Sequence, residues 1–217
     1  MNILRPDSLA FPNLQSANRE GLLALGGDLS VPRLLLAYRS GIFPWTDEPL
    51  TWWSPDPRAI FEIDTFRAPK RLEAKLRRHP FELTFDRDFR AVIHACAQPA
   101  AGRESTWISP RFIEAYLELH RQGHAHSVEV WRQGRLVGGI YGVAIRGFFA
   151  GESMFHHATD ASKIALCHLM DHLRARKFEL FDTQVLSPLT ARLGAVEIRR
   201  RDYLERLASA LRNPAQF

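Results

Sequence analysis

Two short stretches set charged or amide side chains among apolar ones. FAGESMF, residues 149–155, places Glu152 between apolar neighbours, and FDTQV, residues 181–185, alternates Asp182 and Gln184 with Phe181, Thr183 and Val185. An unpaired carboxylate taken out of water is costly or binds a proton instead, so Glu152 either points into solvent from a strand end or has a partner. Positions two apart on a strand share a face, so Asp182 and Gln184 are expected side by side. There a carboxylate and a carboxamide can orient an incoming amine and accept its proton; the plainer alternative is a strand end at which Asp182 caps a turn.

Other chemistries fit less well. GESMF lacks the second glycine of a nucleophile elbow, which argues against Ser153 as a nucleophile. His156 and His157 are adjacent, so they point in different directions, and no carboxylate stands a helix turn away to complete a metal site. The glycines of IRGFFAG read as a hairpin turn, because no helix start follows to face a phosphate. RAPKRLEAKLRRHP is stronger: at about 100° per residue, Lys70, Arg71, Lys75, Arg77 and Arg78 share one arc opposite Leu72 and Leu76. That arc is either a phosphate-binding face or a solvated surface. Trp45, Trp52, Trp53, Trp107, Tyr116, Phe148 and Phe149 either line a pocket for an apolar group or pack the core.

These groups need a frame. The 217 residues, 46% hydrophobic and 24% charged, suffice for one core with a small companion, and the net charge of +5 is compatible with an anionic partner. Two separated cysteines, without the spacing of a zinc site, and no long apolar run fit reduced thiols in a soluble, cytoplasmic protein. The first sixty residues read as a loop-rich unit around one helix, SVPRLLLAYRSG, with Ser30 as cap, Pro32 in its first turn and Gly41 closing it. Helices are expected over DRDFRAVIHACA, RFIEAYLELHRQG after Ser109-Pro110, DASKIALCHLMDHLRARK and RRDYLERLASAL. HSVEVW, LVGGIYGVA and FFAGESMF read as an antiparallel meander, and FELFDTQV as a buried strand. The fold class is α+β.

Taken in order, GLLALGGDLS, YRSGIFPW, WWSPDPR, STWIS, AYLELHRQGHAHSVEVW, LVGGIYGVA, FAGESMF, ASKIAL and FDTQV closely resemble the bacterial leucyl/phenylalanyl-tRNA-protein transferase family, over about residues 11–207. The resemblance implies an aminoacyltransferase that moves leucine or phenylalanine, less readily methionine, from aminoacyl-tRNA to the α-amino group of proteins beginning with Lys or Arg. Its product carries a degradation signal. The alternative is a non-catalytic or altered-specificity aminoacyl-tRNA-binding protein. The resemblance also implies a GNAT-like acyltransferase domain, a mostly antiparallel sheet flanked by helices, over residues 61–217, preceded by a small N-terminal domain over residues 1–60. No metal or other cofactor is expected, since the aminoacyl ester is already activated; a monomer without membrane attachment is expected.

By the same resemblance Asp182 and Gln184 form the catalytic pair, Asp182 acting electrostatically and Gln184 by orientation, while Glu152 pairs with the amino group of the bound aminoacyl moiety. Trp45, Trp107, Tyr116, Ile140, Phe149, Met154, Leu166 and Phe181 form the aminoacyl pocket, and Lys70, Arg71, Lys75, Arg77 and Arg78 bind tRNA phosphates. Where the family commonly has a His and a Ser ahead of Leu-Gly-Ala, this chain has Leu189 and Arg192.

Overall fold

A computed structural model describes residues 2–68, 72, 81–99 and 106–217. The strands β1 (Asn2–Leu4), β2 (Leu22–Gly26), β3 (Phe43–Asp47) and β4 (Leu50–Trp53) form one sheet, ordered β1-β2-β4-β3, with α1 (Val31–Arg39) between β2 and β3. The loop-rich reading of this region missed that sheet. Its strands are three to five residues long, too short for a period to show against the prolines and tryptophans. Helix α1 follows Ser30, carries Pro32 in its first turn and buries Leu34, Ala37 and Tyr38.

The chain then enters a second sheet at β5 (Arg58–Phe61). It continues through β6 (Glu82–Phe85), α2 (Phe89–Cys96), α3 (Pro110–Arg121), β7 (Ala125–Arg132), β8 (Arg135–Ile145), β9 (Phe148–His156), α4 (Ala161–Ala175), β10 (Leu180–Gln184), α5 (Pro188–Arg192), β11 (Val196–Ile198) and α6 (Arg200–Ala210). The order is β11-β5-β10-β9-β8-β7-β6, and among the described residues β9–β10 is the one parallel pair in it. This is the expected α+β arrangement with a mostly antiparallel sheet. Ser109 caps α3 ahead of Pro110, and Asp160 stands before α4.

Two cores hold the layers. In the first, Leu34, Tyr38 and Trp52 pack with Phe112, Tyr116 and Tyr141, which joins the smaller sheet to the larger one. In the second, Ile164, Leu166, Leu169, Met170 and Leu173 of α4 close over Val128, Val130, Phe149 and Phe181. Each such side chain taken wholly out of water contributes about 1.5–3 kcal/mol, so α4 is held by this stripe rather than by its propensity.

Two register faults sit at the centre of the sheet. Tyr141 pairs with Ser153 and Gly142 with Gly151, so Glu152 is an extra residue on β9, in a bulge. Asp182 pairs with Ile60 and Gln184 with Ala59, so Thr183 is extra on β10, and Gln184 takes a left-handed φ of 57°. The β9–β10 ladder ends at Ala150 and Asp182, just where both bulges begin. The bulge needs its glycine on β8: a Cβ on Gly142 would strike the Ala150 carbonyl oxygen and come within 2.6 Å of the Phe149 ring. Gly142→Ala is expected to cost roughly 1–3 kcal/mol in a denaturant titration; an unchanged midpoint would refute this account.

Candidate active site

Beyond Ala150 and Asp182 the parting strands leave a cavity of about 200 Å³ lined by Phe43, Pro44, Trp45, Trp107, Glu152, Thr183, Gln184 and Val185. Glu152 forms part of its wall. The bulge turns the carboxylate onto two buried tyrosines: the Tyr38 hydroxyl donates to Oε1 at 2.8 Å and the Tyr116 hydroxyl to Oε2 at 2.9 Å, with 2.6 Å between the two hydroxyls. The Gln184 side-chain amide adds a third donor, Nε2 to Oε1 at 3.2 Å. The question of what Glu152 does among apolar neighbours thus has a structural answer: three neutral donors hold it at a cavity.

No cation among the described residues touches this carboxylate. Burial therefore raises Glu152 to about 7, against the lowering pull of the two tyrosine hydroxyls, with the negative charge of Asp182 adding to the rise. Burial, and then the charge of Glu152, push both tyrosine hydroxyls well above their ordinary range, which keeps them protonated as donors.

Asp182 and Gln184 do not occupy one environment. Thr183 bulges and Gln184 is left-handed, so the alternation expected of this strand fails. Asp182 is wholly buried and gripped by Arg58, Nε to Oδ1 at 2.9 Å and Nη2 to Oδ2 at 2.6 Å; the Tyr203 hydroxyl donates to Oδ2 at 2.8 Å. Its remaining contact is the Gln184 backbone N–H, 2.9 Å from Oδ1. Gln184 turns its carboxamide to Glu152 and the cavity. With Nε2 committed to Glu152, its carbonyl oxygen is left to accept an N–H.

The sequence decides the chain's kinship. The profile of the leucyl/phenylalanyl-tRNA protein transferase family matches residues 60–208, and that of the same family's N-terminal domain matches residues 27–56. The chain belongs to that family. The transferase of this name from Solidesulfovibrio magneticus is 52% identical over 94% of this chain and 84% of its own; that of Shewanella halifaxensis is 47% identical over 98% and 92%. Among solved structures, L-PGS from Bacillus licheniformis aligns at 11% identity with a TM-score of 0.45, over 82% of this chain and 62% of its own. A ribosomal-protein-alanine N-acetyltransferase from Brucella melitensis aligns at 17% identity with a TM-score of 0.34, over 46% and 76%.

Of the residues assigned to this family's aminoacyl pocket, Trp45 and Trp107 line the cavity, and Tyr116 reaches it through its hydroxyl on Glu152. Ile140, Phe149, Leu166 and Phe181 lie in the second core, with Met154 packed against it. Phe149 and Phe181 meet there edge to face, centroids 5.3 Å apart. Lys70, Arg71, Lys75, Arg77 and Arg78 lie outside the described residues. Neither Leu189 nor Arg192 lines the cavity: Leu189 packs on the second core and Arg192 is exposed. At the start of α6, Arg200 donates to the Ser54 carbonyl and Arg201 to Asp202.

Sequence reasoning did not find Tyr38, Arg58 or Tyr203. Arg58 carried a usable signal, a cation opening the apolar run Ala59–Phe61, since a buried charge demands a partner. Among the described residues no three His, Cys, Asp or Glu side chains gather as a metal-holding group, and no helix is long and apolar enough to cross a membrane.

Proposed function

We propose that this chain is an aminoacyltransferase that moves leucine or phenylalanine, and methionine less readily, from aminoacyl-tRNA onto the α-amino group of proteins beginning with Lys or Arg. Family membership supports the transfer, and the observation that carries the site is Glu152, held by three neutral donors at the cavity beside Gln184. Once ionised, Glu152 suits the α-ammonium of the bound aminoacyl group, a cation that would supply the charge partner the apo site lacks. Its own hydrogen bonds fix where that group sits. The cavity, at about 200 Å³, is smaller than the roughly 300–1,000 Å³ of clefts that take whole small molecules, which suits one amino-acid moiety with the ribose left at the mouth. The apolar side chain then lies against Trp45 and Trp107 in the cavity wall.

In the reaction the acceptor nitrogen bonds to the ester carbonyl carbon, the bond from that carbon to the ribose oxygen breaks, and the amine loses a proton while the ribose oxygen gains one. The Gln184 carbonyl oxygen, accepting an N–H of the amine, aims the nitrogen lone pair at the carbon. A neutral amide is a poor base, so Gln184 orients rather than deprotonates. Asp182 acts from behind it. Lys70, Arg71, Lys75, Arg77 and Arg78 take phosphates of the tRNA, and the reading places the boundary between a small N-terminal domain and the catalytic domain near residue 60, where the chain passes from one sheet to the other.

The test is transfer of labelled leucine and phenylalanine from charged tRNA to peptides beginning with Arg, Lys, Asp or Met. Transfer to the Arg and Lys peptides alone is expected; transfer to Asp would overturn the acceptor assignment, and none to any peptide would leave an aminoacyl-tRNA-binding protein. With five phosphate contacts the affinity for tRNA should fall with a log–log salt slope of about −3.5 to −4.5. Glu at Lys75 and Arg78 should flatten that slope, and an unaltered slope would remove this arc from the tRNA contact.

A further inference from the structure

Arg58 and Asp182 are, respectively, 1% and 0% exposed, an ion pair closed off from water. Such a pair is a poor device for stability, because desolvating both charges consumes most of what their attraction returns, and well-packed apolar residues often serve as well. Its contacts suggest a different use. Besides forking onto Asp182, Arg58 donates Nη1 to the Gly41 carbonyl at 3.1 Å, three residues after Tyr38, which holds Glu152. Its guanidinium also lies between the rings of Phe43, at 4.7 Å, and Tyr203, at 4.6 Å, and Phe43 lines the cavity. The Tyr203 hydroxyl then completes Asp182 from α6.

One node therefore grips both halves of the site. On one side it fixes the turn after α1 and, through it, the tyrosine on Glu152. On the other it fixes the carboxylate whose Oδ1 accepts the Gln184 backbone N–H and so holds Gln184 in its left-handed conformation, a state costly for a residue with a side chain. We propose that Arg58 and Tyr203 are positioning residues for aminoacyl transfer: acting through Asp182 and the Gly41 turn, they set the Gln184 carboxamide against Glu152. Neither lines the cavity. The inference rests on the reading of Gln184 given above and extends it to residues that touch no substrate.

Positioning errors of about an ångström lower the rate of the chemical step without weakening binding. Three full-length variants test this: Tyr203→Phe, which removes one hydroxyl; Arg58→Lys, which keeps the charge and loses the fork; and Gln184→Ala as reference. Steady-state transfer of phenylalanine to an Arg-initial peptide is measured well below each variant's melting temperature. Tyr203→Phe should lower kcat about tenfold, the worth of one hydrogen bond to a charged group, with KM for Phe-tRNA within about twofold. Arg58→Lys should lower kcat further. A merely structural role would shift melting and leave kcat of the folded protein unchanged, and that result would overturn the proposal. Should Arg58→Lys fail to fold, Tyr203→Phe decides alone. Loss of transfer in Gln184→Ala with wild-type kcat in Tyr203→Phe defeats this inference only, whereas wild-type kcat in Gln184→Ala defeats the reading of Gln184 beneath it.

Discussion

Arg58→Met should destabilise the chain by about 3–5 kcal/mol, the usual cost of removing one partner from a buried ion pair. For a chain of this size that lowers the melting temperature by roughly 6–20 °C. Burial by itself would lower the Arg58 guanidinium, but the Asp182 carboxylate, together with Tyr203 and Glu152, more than offsets this and keeps it charged. Without Arg58, Asp182 keeps the Tyr203 hydroxyl and the Gln184 N–H as its donors, at a position closed to bulk solvent. The double variant Arg58→Met, Asp182→Leu should regain most of the loss while remaining inactive, since neither charge of the pair is left buried without its partner but Gln184 has lost its tether. Melting of Arg58→Met within about 2 °C of the parent would show that the pair carries no such burden.

That contrast between folding and activity explains which parts of the molecule were legible in the sequence. The meander of β7, β8 and β9 was readable because strands of eight to eleven residues with tight turns show their own period. Helix α4 was readable because its buried residues keep helical spacing, and Ser109-Pro110 announces α3 in two residues. Glu152 stood out as a charge among apolar residues, and the reason it can remain is a bulge that no periodicity encodes. The alternation assumed for Asp182 and Gln184 failed for the same reason: a single extra residue, Thr183, diverts everything after it. Tyr38 and Tyr203 were invisible because a tyrosine on the inner face of a helix reads as core, and only the fold shows which hydroxyl meets which carboxylate. Motif resemblance named Trp45, Trp107, Glu152 and Gln184 of the cavity wall, whereas the residues behind them required three elements distant in sequence to be brought together at Asp182.

Glu152→Gln is expected to reduce transfer by about 10- to 150-fold, from the loss of one charge-assisted hydrogen bond to the α-ammonium of the aminoacyl group. It should also change how stability depends on pH, and the sign is fixed. Burial lifts the carboxyl from 4.5 to about 7, so between those values the folded chain holds a proton that the unfolded chain has released. Stability from this group is thus fully present below about 4.5 and is lost as pH rises through about 7, by up to roughly 3 kcal/mol. Glutamine does not titrate and cannot accept from both tyrosine hydroxyls, so the variant should show a constant offset and no such slope. Equal slopes for the two proteins would mean that Glu152 is ordinary and solvated. A bound α-ammonium reverses the balance by favouring the ionised form, so below pH 7 the parent should release a proton when it binds a short aminoacyl-nucleoside analogue. Calorimetry in buffers of different ionisation enthalpy reads that release directly. Its absence in Glu152→Gln, beside weaker binding, would tie the raised carboxyl and the recognition of the aminoacyl group to one atom pair, and an equal release in both proteins would separate them.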